Sequence, residues 1–469
     1  MSSFSTGPIP GTAGAARMHE VTEENVHLID RVLDFSRRRL LASEIPLDKP
    51  MSEKELSRLV NEQISEDGMG ADRALSVFEH ILSPACISTD HPQYLAFIPS
   101  APTKAAQAFD MAVSATALYG GSWMEGSGVV HAENETLRWL AGEFGLSESA
   151  GGVFVQGGTT GNLSALVAAR DDAKRKRSAA GKSRPEEWIV VCSEEAHSSI
   201  ASAAAVMDVT VVTVPTADDG VLHGDHVRPA LEEHGDAVFA VVATAGSTNF
   251  GLVDDLRSVA DLKREVDFWF HVDGAYGLAA ILSPLARARF DGVAEADSVI
   301  VDPHKWLYTP FDSCALLYRD PETGRRAHTQ HAAYLDTLNE APEWNPSDYA
   351  IQLTRRARGL PLWFSLSTYG AGAYRAAISH ALTVAHEVAD EIRSRPELRL
   401  VRDPQLSVVV FERIGWEAAD YASWSEKLLD AQTAFVTPSS HHGVTNLRFA
   451  VLNPRTTLAQ LTVLLDTLR

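Results

Sequence analysis

From residue 150 onward, short β-branched runs alternate with amphipathic segments, and this alternation constrains the fold more than any other feature of the sequence. Continuous apolar runs are typical of strands that are buried on both faces. Amphipathic segments between them indicate helices that cover those faces. The runs read GVFVQ, WIVVCS, VTVVTVP, AVFAVVATAG, FWFHVDGAYG and DSVIVDPHK. The pattern predicts an α/β fold with a mostly parallel sheet.

The segments on either side of this region have different patterns. Residues 1–18 are rich in glycine, proline, serine and alanine, and residues 20–43 have the apolar spacing of a helix. A long helical stretch at about residues 366–394 precedes two short strands and a terminal helix, which indicates a smaller α+β domain. The predicted divisions are an N-terminal helical segment, a large domain and a small C-terminal domain, at residues 1–90, 91–365 and 366–469.

The composition excludes several classes of partner. The 469-residue chain has 41 basic and 62 acidic residues, a net charge of −21, which disfavours binding to nucleic acid and to anionic membranes. We expect no membrane span, because no apolar stretch reaches about 18 residues. The cysteines, Cys86, Cys192 and Cys314, are too widely spaced for a metal pair, so we expect no metal site. Their number and spacing favour the reducing cytoplasm.

Polar residues follow five of the predicted strands. In parallel α/β sheets, ligands bind beyond the carboxyl ends of the strands. Each of these segments alone is common as a turn, a helix cap or a paired surface residue. Together they predict one site that offers a glycine-rich anion nest, an imidazole, hydroxyls, a carboxylate and a lysine. The segments are GGTTGN (157–162), EEAHSS (194–199), AGSTN (245–249), DGAYG (273–277) and DPHK (302–305).

This set of groups suits pyridoxal 5′-phosphate (PLP). A lysine supplies the amine for a Schiff base, and a carboxylate keeps the pyridine nitrogen protonated so that the ring acts as an electron sink. The phosphate is bound by N–H groups at a helix N-terminus and by hydroxyls. An imidazole can stack on the ring. We therefore predict PLP as the cofactor.

Several longer motifs carry a family resemblance: EEAHSSI, HVDGAYG, DPHKWLYTPFD and LTRRARGLPLWFSLSTYG, with HPQYLAFIPSAPT and GSWMEGSGVVHAENETLRWL upstream. The chain resembles the group II PLP-dependent decarboxylases, which include aromatic-L-amino-acid, histidine and glutamate decarboxylases. The resemblance covers about residues 20–375 well and the C-terminal part weakly. It implies the fold type I architecture of PLP-dependent transferases, and a homodimer with shared active sites in which residues 20–43 wrap the partner.

The resemblance also implies the groups around the cofactor ring. Lys305 forms the Schiff base, and Asp273 pairs with the pyridine nitrogen. Ala275 packs on one face of the ring and His197 stacks on the other, while Thr248 lies near the ring oxygen or the Schiff base. Lys305 has no carboxylate within two residues. A lysine nitrogen that is bonded covalently to the cofactor needs no carboxylate partner.

Further positions follow from the same resemblance. Thr159, Thr160 and His304 are implied as phosphate ligands, and Arg358 as the arginine that organises the entrance. Phe97 and Tyr119 are implied on the substrate side.

This sequence departs from the family pattern at three positions. Asp302 stands where aromatic-specific relatives often have a neutral residue, so its carboxylate must point away or accept a hydrogen bond. Tyr119 and Gly121 stand where those relatives line the pocket of the partner subunit with bulkier apolar groups. These two positions therefore do not indicate an aromatic substrate.

A long segment without regular periodicity, residues 328–349, is predicted to be the mobile catalytic loop. The resemblance implies that a tyrosine of this loop protonates the substrate carbon. Tyr349 and Tyr334 both qualify, and Tyr349 is favoured.

The implied reaction converts an L-amino acid, aromatic or bulky and apolar, to its amine and CO2. The alternatives are an oxidative aldehyde synthase, another Cα lyase or transaminase, and a scaffold without activity. A loop tyrosine favours the amine, because aldehyde-forming relatives commonly have phenylalanine there. Intact Lys305, Asp273 and His197 argue against a scaffold.

Overall fold

The computed structural model describes residues 18–61, 63–216, 219–332 and 343–469. The chain divides into two compact units, Met1–Ser88 and Thr89–Arg469. The first contains the helices α1 (Glu23–Leu41), α2 (Glu53–Leu59) and α3 (Ala71–Val77). The predicted helix at residues 20–43 is thus confirmed. It begins where the side chain of Thr22 accepts a hydrogen bond from the backbone of Asn25, as an N-cap does.

A mixed sheet forms the centre of the second unit, and in the described residues it has seven strands in the order β1-β7-β6-β5-β4-β2-β3. All neighbouring pairs are parallel except those of β7, which is antiparallel to β1 and to β6. The strands are β1 (Gly151–Val155), β2 (Ile189–Ser193), β3 (Thr210–Val214), β4 (Val238–Thr244), β5 (Trp269–Asp273), β6 (Ser298–Val301) and β7 (Cys314–Tyr318).

The six predicted runs all form strands of this sheet, which confirms the mostly parallel α/β fold. Five of the six strands are buried along their whole length, because helices cover both faces. The sequence analysis did not predict β7. This strand returns antiparallel after β6, so the intervening segment must turn back at the carboxyl edge of the sheet. That turn contains DPHK.

Ten further helices belong to this unit, counted over the described residues. They are α4 (Lys104–Ala115), α5 (Trp123–Glu143), α6 (Gly158–Ala179), α7 (Ser199–Met207), α8 (Gly224–His234), α9 (Leu256–Asp261), α10 (Pro321–His328), α11 (Leu360–Arg393), α12 (Ala418–Asp430) and α13 (Leu458–Asp466). Helix α11 was predicted at about 366–394. It is kinked at Gly370, whose φ of 73° is easily adopted only by glycine. None of the described helices is both long and apolar enough to cross a membrane.

A second, antiparallel sheet lies in the C-terminal part, with the order β10-β11-β9-β8. Its strands are β8 (Leu398–Leu400), β9 (Val408–Arg413), β10 (Pro438–His441) and β11 (Val444–Ala450). Strands β9 and β11 were predicted, while the short β8 and β10 were not. The predicted α+β character is confirmed, and the divisions between residues 90 and 91 and between residues 365 and 366 remain predictions.

Candidate functional site

A cavity of about 220 Å³ opens at the carboxyl edge of the large sheet. The segments that follow five strands, β1, β2, β4, β5 and β6, contribute to it, as the strand-end rule predicts. The described residues that line it are Gly157, Gly158, Thr159, Asn162, His197, Ser199, Thr244, Gly246, Thr248, Asp273, Ala275, Tyr276, Asp302, His304 and Lys305.

Seven of the predicted site residues meet at this cavity: Thr159, His197, Thr248, Asp273, Ala275, His304 and Lys305. Among the described residues, five other predicted positions do not line it: Phe97, Tyr119, Thr160, Tyr349 and Arg358. Tyr334 lies outside the described residues.

Lys305 has a carboxylate partner, contrary to expectation. Its Nζ lies 2.9 Å from Oδ2 of Asp302, three residues earlier, because the turn after β6 brings the two side chains together. Burial alone would raise the pKa of Asp302, but the ammonium of Lys305 holds that pKa below its usual range. Burial alone would lower the pKa of Lys305, but Asp302 raises it above the usual value for lysine. The sequence left two alternatives for the Asp302 carboxylate, to point away from the site or to accept a hydrogen bond. The structure shows the second, with Lys305 as the donor.

Asp273, at the end of β5, is held by uncharged donors. Its Oδ1 accepts a hydrogen bond from the backbone N–H of Ala275 at 3.1 Å. Its Oδ2 accepts one from the side-chain amide of Asn162 at 2.8 Å. Neutral donors orient the carboxylate without cancelling its charge, so Asp273 can still pair with a cation in the cavity.

His197 stands just before α7 and contributes its ring to the cavity wall. Its Nδ1 accepts a hydrogen bond from the backbone N–H of Ser199 at 3.1 Å and lies 2.9 Å from the hydroxyl of the same serine. These two contacts fix the plane of the imidazole. A ring in a fixed plane beside the cavity can stack on a planar ligand.

The N-terminus of α6 provides a site for an anion. The first N–H groups of a helix have no partner within the helix, and they bind phosphate well. Gly157 and Gly158 begin this helix beside the cavity. A Cβ on Gly158 would lie only 3.2 Å from Cβ of Ala275 and 3.3 Å from Oδ2 of Asp302, so a side chain here would crowd the cavity wall.

His304 is buried beside this helix end, and its Nδ1 lies 2.7 Å from the carbonyl oxygen of Ser313. Burial lowers its pKa, so the ring is neutral near pH 7. The buried hydroxyl of Thr244, which also lines the cavity, has no hydrogen-bond partner among the described residues. Both groups are suited to an additional ligand.

Arg448, on β11, was not predicted as a site residue. One of its Nη atoms donates to the carbonyl oxygens of Thr248, at 2.7 Å, and of Phe97, at 2.9 Å. Burial lowers its pKa to about 10, which still leaves the guanidinium charged at neutral pH. The signal in the sequence is an arginine inside the apolar run NLRFAVLNP, because an arginine within a predicted buried strand needs partners.

The end of the predicted loop is packed into the protein, and the roles predicted for the loop and for Tyr349 remain predictions. Residues 345–348 were expected within a long mobile loop, but they are buried and contain a short 3₁₀ turn. Tyr349 is also buried, and its ring stacks on Trp344 with a centroid distance of 4.0 Å. The physical reason is apolar burial, since both rings belong to the packed cluster around α6.

Arg358 is tied to the body of the protein. Its Nε donates to Asp312 at 2.9 Å, and its carbonyl oxygen accepts from the hydroxyl of Ser313 at 3.2 Å. Tyr119 donates its hydroxyl to the carbonyl oxygen of Leu353 at 3.1 Å. Both side chains therefore have structural partners in the described chain.

The family match and the similar proteins all point to decarboxylases. Residues 53–414 match the pyridoxal-dependent decarboxylase conserved domain. The aromatic-L-amino-acid decarboxylase of Bacillus atrophaeus is 29% identical over 94% of this chain and 93% of its own. The L-2,4-diaminobutyrate decarboxylase of Rhizobium meliloti (strain 1021) is 30% identical over 84% and 80%. The crystal structure of Oryza sativa TDC with PLP and tryptamine has the same fold, with a TM-score of 0.85 at 24% identity over 99% and 98%.

The residues of the cavity fit PLP by their chemistry. The amine of Lys305 suits the aldehyde of PLP, and the carboxylate of Asp273, which neutral donors hold, suits the pyridine nitrogen. The fixed imidazole of His197 suits the face of the ring. The free end of α6 and the unpartnered hydroxyl of Thr244 suit the phosphate and other polar atoms. On the family match and this donor set, the chain belongs to the pyridoxal-dependent decarboxylase family and is a PLP-dependent amino acid decarboxylase.

Proposed function

We propose that this enzyme converts an L-amino acid with an aromatic or bulky apolar side chain to the corresponding amine and CO2. The observation that carries the side-chain preference is the position of Phe97. Its side chain is large and apolar, yet 57% of the residue surface is exposed. Its carbonyl oxygen shares the guanidinium of Arg448 with Thr248, a residue of the cavity wall. Phe97 does not line the cavity itself, but its backbone is held by the arginine that also holds Thr248, and its exposed ring offers an apolar surface to a substrate.

The charges of the cavity also support an uncharged side chain. Its described lining has two aspartates, and both are engaged: Asp273 with two N–H donors, and Asp302 with Lys305. A diaminobutyrate side chain brings an ammonium group that needs a carboxylate of its own. Asp302 is paired with Lys305, and the pyridine nitrogen of PLP would occupy Asp273, so neither aspartate is left for a substrate ammonium group.

PLP, when bound, supplies the electron sink that allows the bond between Cα and the carboxylate to break. Lys305 would hold the cofactor covalently, and Asp273 would keep the pyridine nitrogen protonated. His197 and Ala275 would enclose the ring from its two faces. Thr159 and His304 would bind the phosphate together with the N-terminus of α6, and Thr160, which does not line the cavity, belongs to the first turn of that helix.

The remaining tasks concern the substrate. Arg448 is a buried cation bonded to the carbonyl oxygen of Thr248, a residue of the cavity wall, and we assign to it the attraction of the substrate carboxylate, which the low dielectric of its surroundings strengthens. Release of CO2 leaves a carbanion at Cα that needs a proton from a positioned acid. Because the ring of Tyr349 is packed against Trp344, we assign this role to Tyr334, the other loop tyrosine that the family resemblance offers.

The test is a panel of L-amino acids assayed for CO2 release and for the organic product. We expect phenylalanine, tyrosine, tryptophan or leucine to be turned over best, with a stoichiometric amine. Preferred turnover of glutamate or of 2,4-diaminobutyrate would refute the side-chain class. Aldehyde, ammonia and hydrogen peroxide as main products would instead support the oxidative alternative.

A matched pair of variants tests the role of Phe97. Phe97→Ser should lower kcat/KM for the preferred substrate about tenfold, because it removes apolar contact worth about 1.5 kcal/mol. Tyr369→Ser removes another half-exposed aromatic ring, on α11, and should have no effect. Equal effects of the two variants would contradict the assignment.

We also propose that the enzyme is a cytoplasmic homodimer. Helix α1 carries exposed apolar residues at helical spacing, Val26, Ile29, Val32 and Leu33, which a second copy of the chain would cover. The cysteines Cys86, Cys192 and Cys314 are all free, as in a reducing compartment. Light scattering should give twice the chain mass, and a single species of 50.8 kDa would refute the dimer.

A further inference from the structure

A continuous chain of hydrogen bonds, buried from Ser199 onward, connects the two groups expected to hold the cofactor ring. It runs from His197 through Ser199 and Asn162 to Asp273. A branch leaves Asn162 for His271 and ends at Ser298. Asn162, His271, Ser298 and Ser199 are each at most 3% exposed. Their polar groups are therefore shielded from water, and they must satisfy one another.

Chemistry fixes the orientation of the amide at the centre of this network. Asp273 can only accept hydrogen bonds when ionised, so the atom of Asn162 that faces it at 2.8 Å must be the NH2 group. The second hydrogen of that group reaches the hydroxyl oxygen of Ser199 at 2.9 Å. The amide oxygen then faces Nε2 of His271 at 2.8 Å.

The proton positions on His271 follow from that orientation. The amide oxygen of Asn162 only accepts, so Nε2 of His271 carries a hydrogen. Burial lowers the pKa of His271 to about 4, so the ring is neutral near pH 7 and its Nδ1 is an acceptor. The hydroxyl of Ser298 therefore donates to Nδ1 at 2.7 Å, while its oxygen accepts the indole N–H of Trp269 at 2.8 Å.

The other arm of the network sets the state of His197. The backbone N–H of Ser199 donates to Nδ1 of His197, so this nitrogen has no hydrogen. The hydroxyl of Ser199 already accepts from Asn162, which leaves its own hydrogen for the same Nδ1. A neutral His197 must then carry its hydrogen on Nε2.

We propose that Asn162 is a positioning residue that orients Asp273 and His197 at once, with His271 and Ser298 holding its amide in the required orientation. Asn162 is the branch point, because one NH2 group donates both to Asp273 and, through Ser199, to the ring that lines the opposite part of the cavity. Its replacement should disturb cofactor binding at two places. The proposal depends on PLP binding and not on the substrate class.

The first experiment measures PLP affinity by titrating cofactor-free protein while following the visible absorption of the bound cofactor. Asn162→Ala should weaken PLP binding about 10- to 100-fold, since hydrogen bonds to a charged group are lost. The absorption should also change its dependence on pH. Ser199→Ala should have a smaller effect, because the bond from Asn162 to Asp273 remains. Ser283→Ala, which removes a buried hydroxyl bonded to Ser379, should match the wild type.

Asn162→Asp separates the lost donor from a change of shape. It has nearly the same volume as the wild type but has an oxygen where Asp273 needs a donor, so PLP binding should weaken at least as much as in Asn162→Ala. If either folded variant bound PLP within about twofold of the wild type, with an unchanged pH dependence, the proposal would be overturned.

The second experiment needs no variant. Nitrogen-15 NMR of histidine-labelled holoenzyme reports which ring nitrogen carries a hydrogen. We expect the neutral ring of His197 and that of His271 each to carry its hydrogen on Nε2. A neutral ring of either histidine with its hydrogen on Nδ1 would overturn the proposed network. No amino acid substrate is present in either experiment, so an error in the proposed substrate class cannot produce these outcomes.

Discussion

Replacing Asp302 with asparagine should accelerate the incorporation of PLP into the cofactor-free enzyme. A lysine attacks an aldehyde only as the neutral amine. In the structure the amine of Lys305 lies 2.9 Å from the Asp302 carboxylate, which raises the lysine pKa despite its burial. Without that carboxylate, burial remains and lowers the pKa. A larger fraction of Lys305 is then neutral at any pH below its pKa.

The distance gives the magnitude. Two unit charges 2.9 Å apart attract by about 5 to 6 kcal/mol at an effective dielectric constant of about 20. The Lys305 side chain keeps 24% of its surface exposed, and asparagine retains a dipole, so we take about 2 to 3 kcal/mol as the change. That corresponds to about 30- to 100-fold more neutral amine at a given pH.

The assay is stopped-flow absorbance after mixing cofactor-free enzyme with PLP, from about pH 6.5 to 9.5. Incorporation by the wild type should become faster as the pH rises, because the raised pKa keeps Lys305 charged over most of this range. At the same pH, Asp302→Asn should incorporate PLP about 30- to 100-fold faster, so its profile lies at lower pH. Asp291→Asn, which breaks an exposed 2.9 Å pair with Arg257, is the control and should match the wild type. Identical profiles for Asp302→Asn and the wild type would refute the reasoning.

Three further predictions concern the reaction itself. Lys305→Ala should lose both steady turnover and the visible absorption of covalently held cofactor, and full activity in a purified sample would show that the assignment of Lys305 is wrong. Asp273→Asn should unfold at nearly the wild-type Tm but lower kcat about 100-fold or more, so a rate close to wild type would contradict its role at the pyridine nitrogen. Tyr349→Phe should leave amine formation unchanged, whereas Tyr334→Phe should slow it by about 10²- to 10⁴-fold as measured by product analysis, and the reverse result would restore Tyr349 as the acid.

Residues at strand ends could be predicted from the sequence because topology alone places them. Once the apolar runs indicated parallel strands, His197, Asp273 and Lys305 had to lie at one edge of the sheet. No side-chain geometry was needed for that step. The same reasoning fails for β7, an apolar run that follows β6 closely and pairs antiparallel with it. The composition of β7 resembles that of the parallel strands, and composition does not show in which direction a strand runs.

Other features depend on contacts that the sequence pattern does not encode. Asp302 and Lys305 are three residues apart, but only the turn after β6 decides whether their side chains meet. Arg448 contacts the carbonyl oxygen of Thr248, 200 residues earlier in the chain. Tyr349 follows a segment rich in proline and asparagine, which indicates a loop, yet the stacking on Trp344 buries it. Tertiary packing overrides local pattern in each case.

The two aspartates of the cavity differ in their partners, and this difference assigns their roles. Asp302 is paired with a cation of the same turn, so little of its charge is available to a ligand. Asp273 is oriented by uncharged N–H donors, from Asn162 and Ala275, so its full negative charge is available to a protonated pyridine nitrogen. If Asp273 had the cation partner and Asp302 the neutral donors, Asp302 would be the residue available to the pyridine nitrogen. For that reason Asn162, a neutral residue, determines where in the cavity a cationic ring nitrogen is stabilised.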